Sequence, residues 1–198
     1  MKKITLVFFG RSGSGKGTQA GLLMEYMKKH DPERKIIYIE TGERFRRFIN
    51  SDNFTAKKVK EILAAGKLLP AFLPIWIWTG LMVDEAKGDE HMVFDGVSRR
   101  PEEAPILDTA LQFYAADGEK PYILFLDTHH EEARTRLIKR GRYDDKHEKI
   151  DERFRWFETD VMPAIKYFEA QKHCHFVKIN GDQTIENVFK DIRKALGI

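Results

Sequence analysis

A glycine-rich loop at residues 10–19 constrains the fold of this chain more than any other part of the sequence. The loop reads Gly-Arg-Ser-Gly-Ser-Gly-Lys-Gly-Thr-Gln; it follows an apolar run at residues 4–9 and precedes an amphipathic stretch of helical period. In such a strand–loop–helix unit, glycines let successive backbone N–H groups point at one anionic oxygen, and the positive end of the helix dipole lies nearby. Lys16 adds a positive charge for the terminal phosphates. The spacing G-x-x-x-x-G-K in this context therefore predicts a polyphosphate site, in preference to a flexible turn.

Composition restricts the class of protein. With 198 residues, of which 42% are hydrophobic and 33% charged, the chain can bury the core of one domain and is too apolar to be disordered. A net charge of +3 argues against a protein that coats nucleic acid. The apolar stretch at residues 71–83 is shorter than the ~18 residues that a membrane span needs. We therefore expect a cytoplasmic protein that binds neither membrane nor nucleic acid.

The cysteine and histidine pattern also suits a cytoplasmic protein, and it predicts no zinc site. Cys174 is the single cysteine, so it cannot form an internal disulfide, which suits a reducing compartment. Neither Cys174 nor the histidines His147, His173 and His175 have the spacing of zinc ligands. The sequence therefore predicts no zinc site.

The order of the predicted elements indicates an α/β protein. Short β-branched and aromatic runs alternate with longer stretches of helical period, which is typical of a parallel sheet covered by helices on both faces. Strands are predicted near residues 3–9, 35–40, 91–95, 121–127 and 174–179. Helices are predicted near residues 15–29, 43–50, 54–65, 71–87, 101–117, 130–139, 147–171 and 184–196. Residues 41–90 hold three helical patterns where a parallel connection needs one, so an insertion is predicted there.

The residue after Lys16 departs from the general motif. Gly17 stands where a Ser or Thr hydroxyl usually binds Mg²⁺, and the hydroxyl comes one residue later, at Thr18. The variant Gly-Lys-Gly-Thr-Gln resembles the loop of the nucleoside monophosphate kinases, and of the adenylate kinases in particular. The resemblance extends over nearly the whole chain and implies a P-loop NTPase-type three-layer sandwich with a five-stranded parallel sheet. It implies one domain over residues 1–198, with a core at 1–40, 71–140 and 147–198, an acceptor-binding insertion at about 41–70 and a short lid at about 141–146.

Three segments carry the resemblance on the acceptor side. Residues 40–46 stand where the family has Ser-Thr-Gly-Asp-Met-Leu-Arg, residues 66–70 resemble its Gly-Lys-Leu-Val segment, and residues 94–99 resemble its Leu-Asp-Gly-Phe-Pro-Arg segment. The resemblance implies that Asp95 organises the water shell of Mg²⁺. This residue also ends a strand on the side of the sheet where ligands bind, although such an Asp is equally often a helix-capping turn residue. The acceptor-binding residues implied in this way are Thr41, Gly42, Arg46, Leu69, Gly96, Arg99 and Glu103.

A cluster of arginines at residues 136–153 carries the resemblance on the donor side. Phosphoryl transfer concentrates negative charge on oxygens, and Arg neutralises it with a planar fork that keeps its proton. The resemblance implies that Arg136 packs over the donor base, that Asp144 and Asp145 position the phosphates, and that the loop at Gly181 faces adenine. A solvated, salt-bridged helix is the alternative interpretation of the charges. The implied ATP-binding residues are Gly13, Ser14, Gly15, Lys16, Gly17, Thr18, Arg136 and Gly181, and the implied catalytic residues are Lys16, Arg99, Arg140, Arg142 and Arg153.

Two departures from the family pattern bear on activity. Only Gly141 separates Arg140 from Arg142, so the lid is shorter than the family's and covers less of the reacting phosphates. Glu103 stands where adenylate kinases have a Gln, whose amide donates to adenine N1 and accepts from its amino group. A carboxylate only accepts, which suits the N–H donors of guanine better, while the adjacent Glu102 allows a shift of register.

The resemblance implies reversible transfer of the γ-phosphoryl group of MgATP to a nucleoside monophosphate, with AMP favoured, by a monomer whose partners are small nucleotides. Two kinds of alternative stay open. One is a P-loop kinase for GMP or for a non-nucleotide acceptor. The other is a nucleotide-dependent regulatory or RNA-associated ATPase; its support is a basic stretch for which a solvated helix face is the simpler interpretation. That stretch comprises Arg44, Arg46, Arg47, Lys57, Lys58 and Lys60.

Overall fold

The centre of the structure is a five-stranded parallel sheet. The computed structural model describes residues 1–116, 118–141 and 147–198. Within them the strands are β1 (Thr5–Phe9), β2 (Ile36–Glu40), β3 (His91–Asp95), β4 (Tyr122–Asp127) and β5 (His175–Asn180). Their order is β2-β3-β1-β4-β5, and every neighbouring pair is parallel. The register places Asp95, the last residue of β3, beside both Phe8 of β1 and Glu40 of β2.

Helices cover both faces of this sheet, which confirms the predicted α/β sandwich. They are α1 (Lys16–His30), α2 (Thr41–Phe48), α3 (Phe54–Ala64), α4 (Phe72–Glu85), α5 (Glu103–Tyr114), α6 (His130–Arg140), α7 (His147–Trp156), α8 (Met162–Glu169) and α9 (Ile185–Leu196). Helix α2 begins directly after β2, at Thr41 rather than at residue 43. Among the described helices, none combines the length and the apolar character that a membrane crossing requires.

Alternation along each strand divides the core into two layers. On β1, Val7 and Phe9 belong to one layer, while Leu6 and Phe8 belong to the other. The first layer packs against α4, α5 and α8, and the second packs against α1 and α9. Because both faces of the sheet are covered, the inner strands β1, β3 and β4 are mostly apolar and buried, which is why the sequence revealed them. The edge strand β5 is more polar and partly exposed.

The segment between β2 and α4 has a small core of its own. Phe45 of α2, Val59 of α3, Leu69 and Leu73 are buried together. Asn53 caps α3 by accepting a hydrogen bond from the first turn of that helix at 2.8 Å. These contacts make the segment a compact helical unit beside the sheet.

The helix predicted at residues 147–171 is interrupted. A π-helical segment, Phe157–Val161, lies between α7 and α8. Pro163 has no N–H, and its ring clashes with the carbonyl group four residues earlier, so regular α-helical bonding cannot continue there. The N–H of Met162 instead donates to the oxygen of Phe157, five residues back. The wider turn keeps both Phe157 and Val161 buried in the core.

Candidate active site

The loop between β1 and α1 has a backbone conformation that favours glycine. Gly10, Gly13 and Gly15 have φ angles of 149°, 86° and 92°, in the range that L side chains rarely adopt. A Cβ at Gly13 would lie 2.3 Å from the carbonyl oxygen of Ala133. Helix α1 begins at Lys16 with no side-chain cap, so the N–H groups of its first turn have no partner within the helix. Loop and helix start therefore form a concave set of donors suited to phosphate oxygens.

Lys16 is held inside this loop. Its Nζ donates to the carbonyl oxygens of Gly10 and Arg11, at 2.7 and 3.0 Å. Removal from water lowers the pKa of Lys16 to about 8; the charge of Asp95 opposes this shift, and arginines around the cavity add to it. The loop therefore holds the ammonium group in place, and an anion that binds beside it stabilises its charged form.

Asp95 places a carboxylate beside the loop. It is 7% exposed, and the hydroxyl of Tyr38 donates to its Oδ2 at 3.4 Å. Burial, followed by the charges of Asp95 and Glu40, raises the pKa of Tyr38, so this side chain remains a donor. A Cβ at Gly17 would lie 3.4 Å from the same carboxylate oxygen. The absence of a side chain at Gly17 thus leaves space between the carboxylate and the loop.

The turn after β3 directs two polar side chains to one carbonyl group. Thr41 Oγ1 and Arg99 Nε both donate to the oxygen of Gly96, at 2.7 and 2.8 Å. Gly96 has a φ of 72°, and a Cβ there would lie 2.5 Å from Arg99 Nη2. Burial lowers the pKa of Arg99, while the carboxyl groups of Asp95 and Glu103 oppose the shift. The guanidinium is therefore fixed at the wall of the site by the turn itself.

Arg46 reaches the same region from α2. Its guanidinium forms ion pairs with Glu40 at 3.2 Å and with Glu43 at 2.9 Å. The bond to Arg46 lowers the pKa of Glu43. These two carboxylates orient the arginine and leave its charge balanced before any anion binds.

Glu103 is a buried carboxyl group at the start of α5. It is 1% exposed, and its Oε2 accepts a hydrogen bond from the backbone N–H of Arg99 at 2.9 Å. Burial raises the pKa of Glu103 to about 7; that hydrogen bond and the charges of Arg99 and Arg100 oppose the shift, while Glu102 adds to it. Both the acid and the carboxylate form are therefore present near neutral pH.

Helices α6 and α7 contribute further arginines. Arg136 donates to Glu132 Oε1 at 2.8 Å and to the oxygen of Gln183 at 3.4 Å. Arg140 and Arg153 also line the site. This part of the wall is strongly basic, as binding of a polyphosphate requires.

Trp156 joins α7 to the segment between α3 and α4. Its indole N–H donates to the oxygen of Gly66 at 3.2 Å, and its ring centre is 6.0 Å from Arg99 Cζ. The contact closes one side of the site. Among the residues predicted nearby, Arg142, Asp144 and Asp145 lie outside the described residues, as does all of the predicted lid beyond Gly141.

These groups surround one cavity of about 910 Å³, which is near the upper end of the ~300–1,000 Å³ typical of ligand sites. Most of the predicted site residues line it, namely Gly13, Ser14, Gly15, Lys16, Gly17, Thr18, Thr41, Gly42, Arg46, Leu69, Asp95, Gly96, Arg99, Glu103, Arg136, Arg140 and Arg153. Gly181 does not. Its N–H donates to the oxygen of Asp127 at 2.7 Å, and a Cβ there would lie 2.0 Å from Thr128 Oγ1. The structure therefore places Gly181 in a turn that packs against Asp127 and Thr128 after β5.

Several lining residues carry no motif in the sequence. They are Tyr38, Lys139, Lys149, Trp156, Gln183, Thr184 and Ile185, with a few apolar neighbours. The last three follow the carboxyl end of β5, which is where ligands of parallel sheets bind. That rule was the available signal for them, whereas Trp156 reaches the cavity only through tertiary packing.

The chain is similar to known kinases over nearly its whole length. A sequence model of the adenylate kinase domain matches residues 8–173. The adenylate kinase of Bacteroides fragilis is 34% identical, over 98% of this chain and 98% of its own length. Adenylate kinase 1 of a Nostoc species is 30% identical over 97% and 98%. The probable UMP-CMP kinase 1 of Arabidopsis thaliana is 28% identical over 97% and 88%. The relatives thus include kinases named for different acceptors.

Proposed function

This chain belongs to the adenylate kinase family and is a nucleoside monophosphate kinase. From that premise we propose that it transfers the γ-phosphoryl group of MgATP reversibly to a nucleoside monophosphate, with AMP favoured. In that reaction ATP and AMP give two molecules of ADP. The observation that carries the proposal is that the loop at residues 10–18 and arginines from separate segments line one cavity. We infer further that the enzyme acts as a cytoplasmic monomer with small nucleotides as its partners.

The donor polyphosphate lies in the loop. The first-turn N–H groups of α1 and the ammonium group of Lys16 bind its oxygens, and this lysine then exchanges its bonds to loop carbonyls for bonds to phosphate. Arg140 and Arg153 neutralise charge that develops on the transferring group, and Arg136 packs over the donor base. A side chain need not act as a covalent nucleophile, because positioning and electrostatic stabilisation suffice for phosphoryl transfer.

The acceptor lies between the segment at residues 41–70 and the turn after β3. Arg46 and Arg99 bind its phosphate and bring an acceptor oxygen into line with the γ-phosphorus. The bond from that oxygen to phosphorus forms as the bond to the leaving ADP oxygen breaks. We propose that residues 41–70 and a lid at residues 141–146 move over a fixed core to exclude water.

Asp95 fits a role in holding Mg²⁺. The buried carboxylate faces the space that Gly17 leaves open beside the loop, and carboxylates and waters are the ligands that Mg²⁺ prefers. We propose that Asp95 binds water molecules of the hydrated ion. When bound, the ion neutralises charge on the donor phosphates.

A coupled assay tests the proposed function directly. ADP formation from ATP is measured with AMP, GMP, CMP, UMP and dTMP, each over a range of concentrations. Saturable ADP formation with AMP as the best acceptor supports the proposal. ATP consumption that no monophosphate stimulates would contradict it and would favour a different acceptor class.

GMP is the second candidate acceptor, and Glu103 is the observation that favours it. One oxygen of this carboxyl group is occupied by the Arg99 N–H, which leaves the other for a base. In the carboxylate form that oxygen only accepts, as guanine N1–H and N2–H₂ require; in the acid form it donates, as adenine N1 requires. Its pKa of about 7 makes both forms accessible.

Slow hydrolysis of ATP without an acceptor is expected. Gly141 alone separates Arg140 from Arg142 in the sequence, and so short a lid excludes water incompletely. Phosphate release is measured with MgATP and no monophosphate, with the Lys16→Ala variant as the control. Release by the wild-type protein that equals the buffer blank would contradict this expectation.

Proton uptake on nucleotide binding is expected near pH 8. The pKa of Lys16 is about 8 in the free protein, so roughly half of these side chains are neutral at that pH, and a polyphosphate raises the pKa again. Calorimetry in two buffers of different ionisation enthalpy should give different binding enthalpies, corresponding to about half a proton per nucleotide. The contribution of Lys16 to this difference should disappear below about pH 6.5, where Lys16 is already charged. Equal enthalpies in the two buffers at pH 8 would contradict proton uptake by Lys16.

A further inference from the structure

Asp108, His173 and Cys174 form a cluster at the other edge of the sheet. Asp108 lies on α5, while His173 and Cys174 lie in the turn that leads into β5. Because all the strands are parallel, this turn is opposite to the edge at which the phosphate-binding loop follows β1. None of these three residues lines the nucleotide cavity.

The cluster brings together three different ligand atoms. A carboxylate oxygen of Asp108, a ring nitrogen of His173 and the sulfur of Cys174 all lie within 4.8 Å of one another. The His173 Nε2 is 2.6 Å from Asp108 Oδ1, and the hydroxyl of Tyr167 donates to Asp108 Oδ2 at 2.9 Å. Tyr167 thus orients the carboxylate, as the outer hydrogen-bond partners of metal-bound carboxylates do.

Burial and access also suit an ion. Asp108 and Cys174 are 4% and 8% exposed, whereas the side chain of His173 is 37% exposed. A buried carboxylate and thiol therefore face a side chain that lies at the surface. An ion can enter beside His173 and still be held by protein atoms on its inner side.

A catalytic role for this Cys, His and Asp combination does not fit. Burial, followed by the charge of Asp108, raises the pKa of Cys174 to about 12, so the metal-free thiol keeps its proton and is a poor nucleophile. Nitrogen, sulfur and carboxylate oxygen atoms are instead all ligands of Zn²⁺, which in an open tetrahedral site is bound by three protein atoms and a water.

We propose that Asp108, His173 and Cys174 bind one Zn²⁺ ion, which ties α5 to the start of β5. Binding replaces the hydrogen bond between Asp108 and His173 with a bond from each to the ion. The proton on His173 Nε2 moves to Nδ1 through solvent as Nε2 binds, and the thiol proton passes to solvent as the sulfur binds. Water fills the fourth position. This site is independent of the proposed phosphoryl transfer.

Zn²⁺ titration of the nucleotide-free, full-length protein tests the proposal. Competition with a chromogenic chelator should show one equivalent bound. The His173→Gln variant should bind at least ~10-fold more weakly. His175→Gln is the matched control, since that adjacent histidine is exposed and stacks on Tyr122 outside the cluster. The control should bind Zn²⁺ as the wild-type protein does.

Co²⁺ provides a second readout that reports on the sulfur. The Co²⁺-loaded wild-type protein should show thiolate-to-cobalt charge-transfer absorption, and the Cys174→Ser variant should lose it. If Cys174→Ser fails to fold by circular dichroism, the two histidine variants decide the question. No stoichiometric Zn²⁺ binding, equal weakening in both histidine variants, or a Co²⁺ spectrum without charge transfer would each overturn the proposal. Phosphoryl transfer should be unchanged in His173→Gln, so the two proposals fail separately.

Discussion

Alanine at position 16 is expected to lower kcat by ~10²-fold or more while the fold remains intact. In the free protein Lys16 Nζ donates to the main-chain oxygens of Gly10 and Arg11, at 2.7 and 3.0 Å. Removal of this side chain therefore leaves the hydrophobic core intact. A charge placed against the transferring oxygens in a site that excludes water stabilises the transition state by a few kcal/mol. The measurement is steady-state kinetics with MgATP and AMP, with circular dichroism as the check on folding.

Arg99→Ala should cause a loss of the same size for the same reason. Its guanidinium is fixed by Gly96 at the end of β3, so its position does not have to be organised during the reaction. Lys57→Ala and Arg155→Ala are the matched controls, since these side chains are 71% and 70% exposed and lie outside the cavity lining. Both controls should keep wild-type turnover. Wild-type turnover in Lys16→Ala or Arg99→Ala would refute the role of that residue.

The choice between AMP and GMP is expected to depend on pH through Glu103. Below its pKa of about 7, the acid form donates to adenine N1. Above that pKa a carboxylate oxygen of Glu103 faces the lone pair of adenine N1. Such a mismatch between buried polar groups costs ~1–3 kcal/mol of binding free energy. The AMP-to-GMP ratio of kcat/KM should therefore fall about tenfold as the pH rises from about 6 to 8.

Glu103→Gln separates this effect from the titration of other groups. The amide both donates and accepts and does not titrate, so the variant should favour AMP at every pH. The charged groups that face Glu103, namely Arg99, Arg100 and Glu102, are unchanged in it. A preference of the wild-type protein for AMP of tenfold or more at pH 8 would show that the Glu103 carboxylate does not select the acceptor base.

The sequence predicted those parts of the fold that depend on local pattern. The inner strands β1, β3 and β4 are mostly apolar because the sheet is covered on both faces. The loop at residues 10–19 needs glycine at positions with positive φ. The π-helical segment was missed because the helical period of residues 147–171 continues through Pro163. The wider turn preserves burial on the same face, so the hydrophobic pattern carries no mark of it.

The site was predicted in outline, and the gaps follow from tertiary packing. The spacing of the glycine-rich loop predicted Lys16, whereas Asp95 and Arg99 were predicted from the resemblance of the contiguous segment at residues 94–99 to a family segment. Trp156 reaches the cavity by a hydrogen bond to Gly66, 90 residues away, and no local pattern encodes such a contact. The same holds for the cluster of Asp108 with His173 and Cys174, because Asp108 is 65 residues from His173 in the sequence and the histidine and cysteine spacing alone predicted no zinc site.

Crystallography with a dinucleotide that joins two adenosines through a polyphosphate bridge tests most directly whether this cavity holds donor and acceptor together. We expect the bridge to lie in the loop at residues 10–18, with Arg46 and Arg99 on one end and Arg136, Arg140 and Arg153 around the other. A loop that remains empty, or arginines that turn to solvent while the ligand binds elsewhere, would contradict the proposed reaction site.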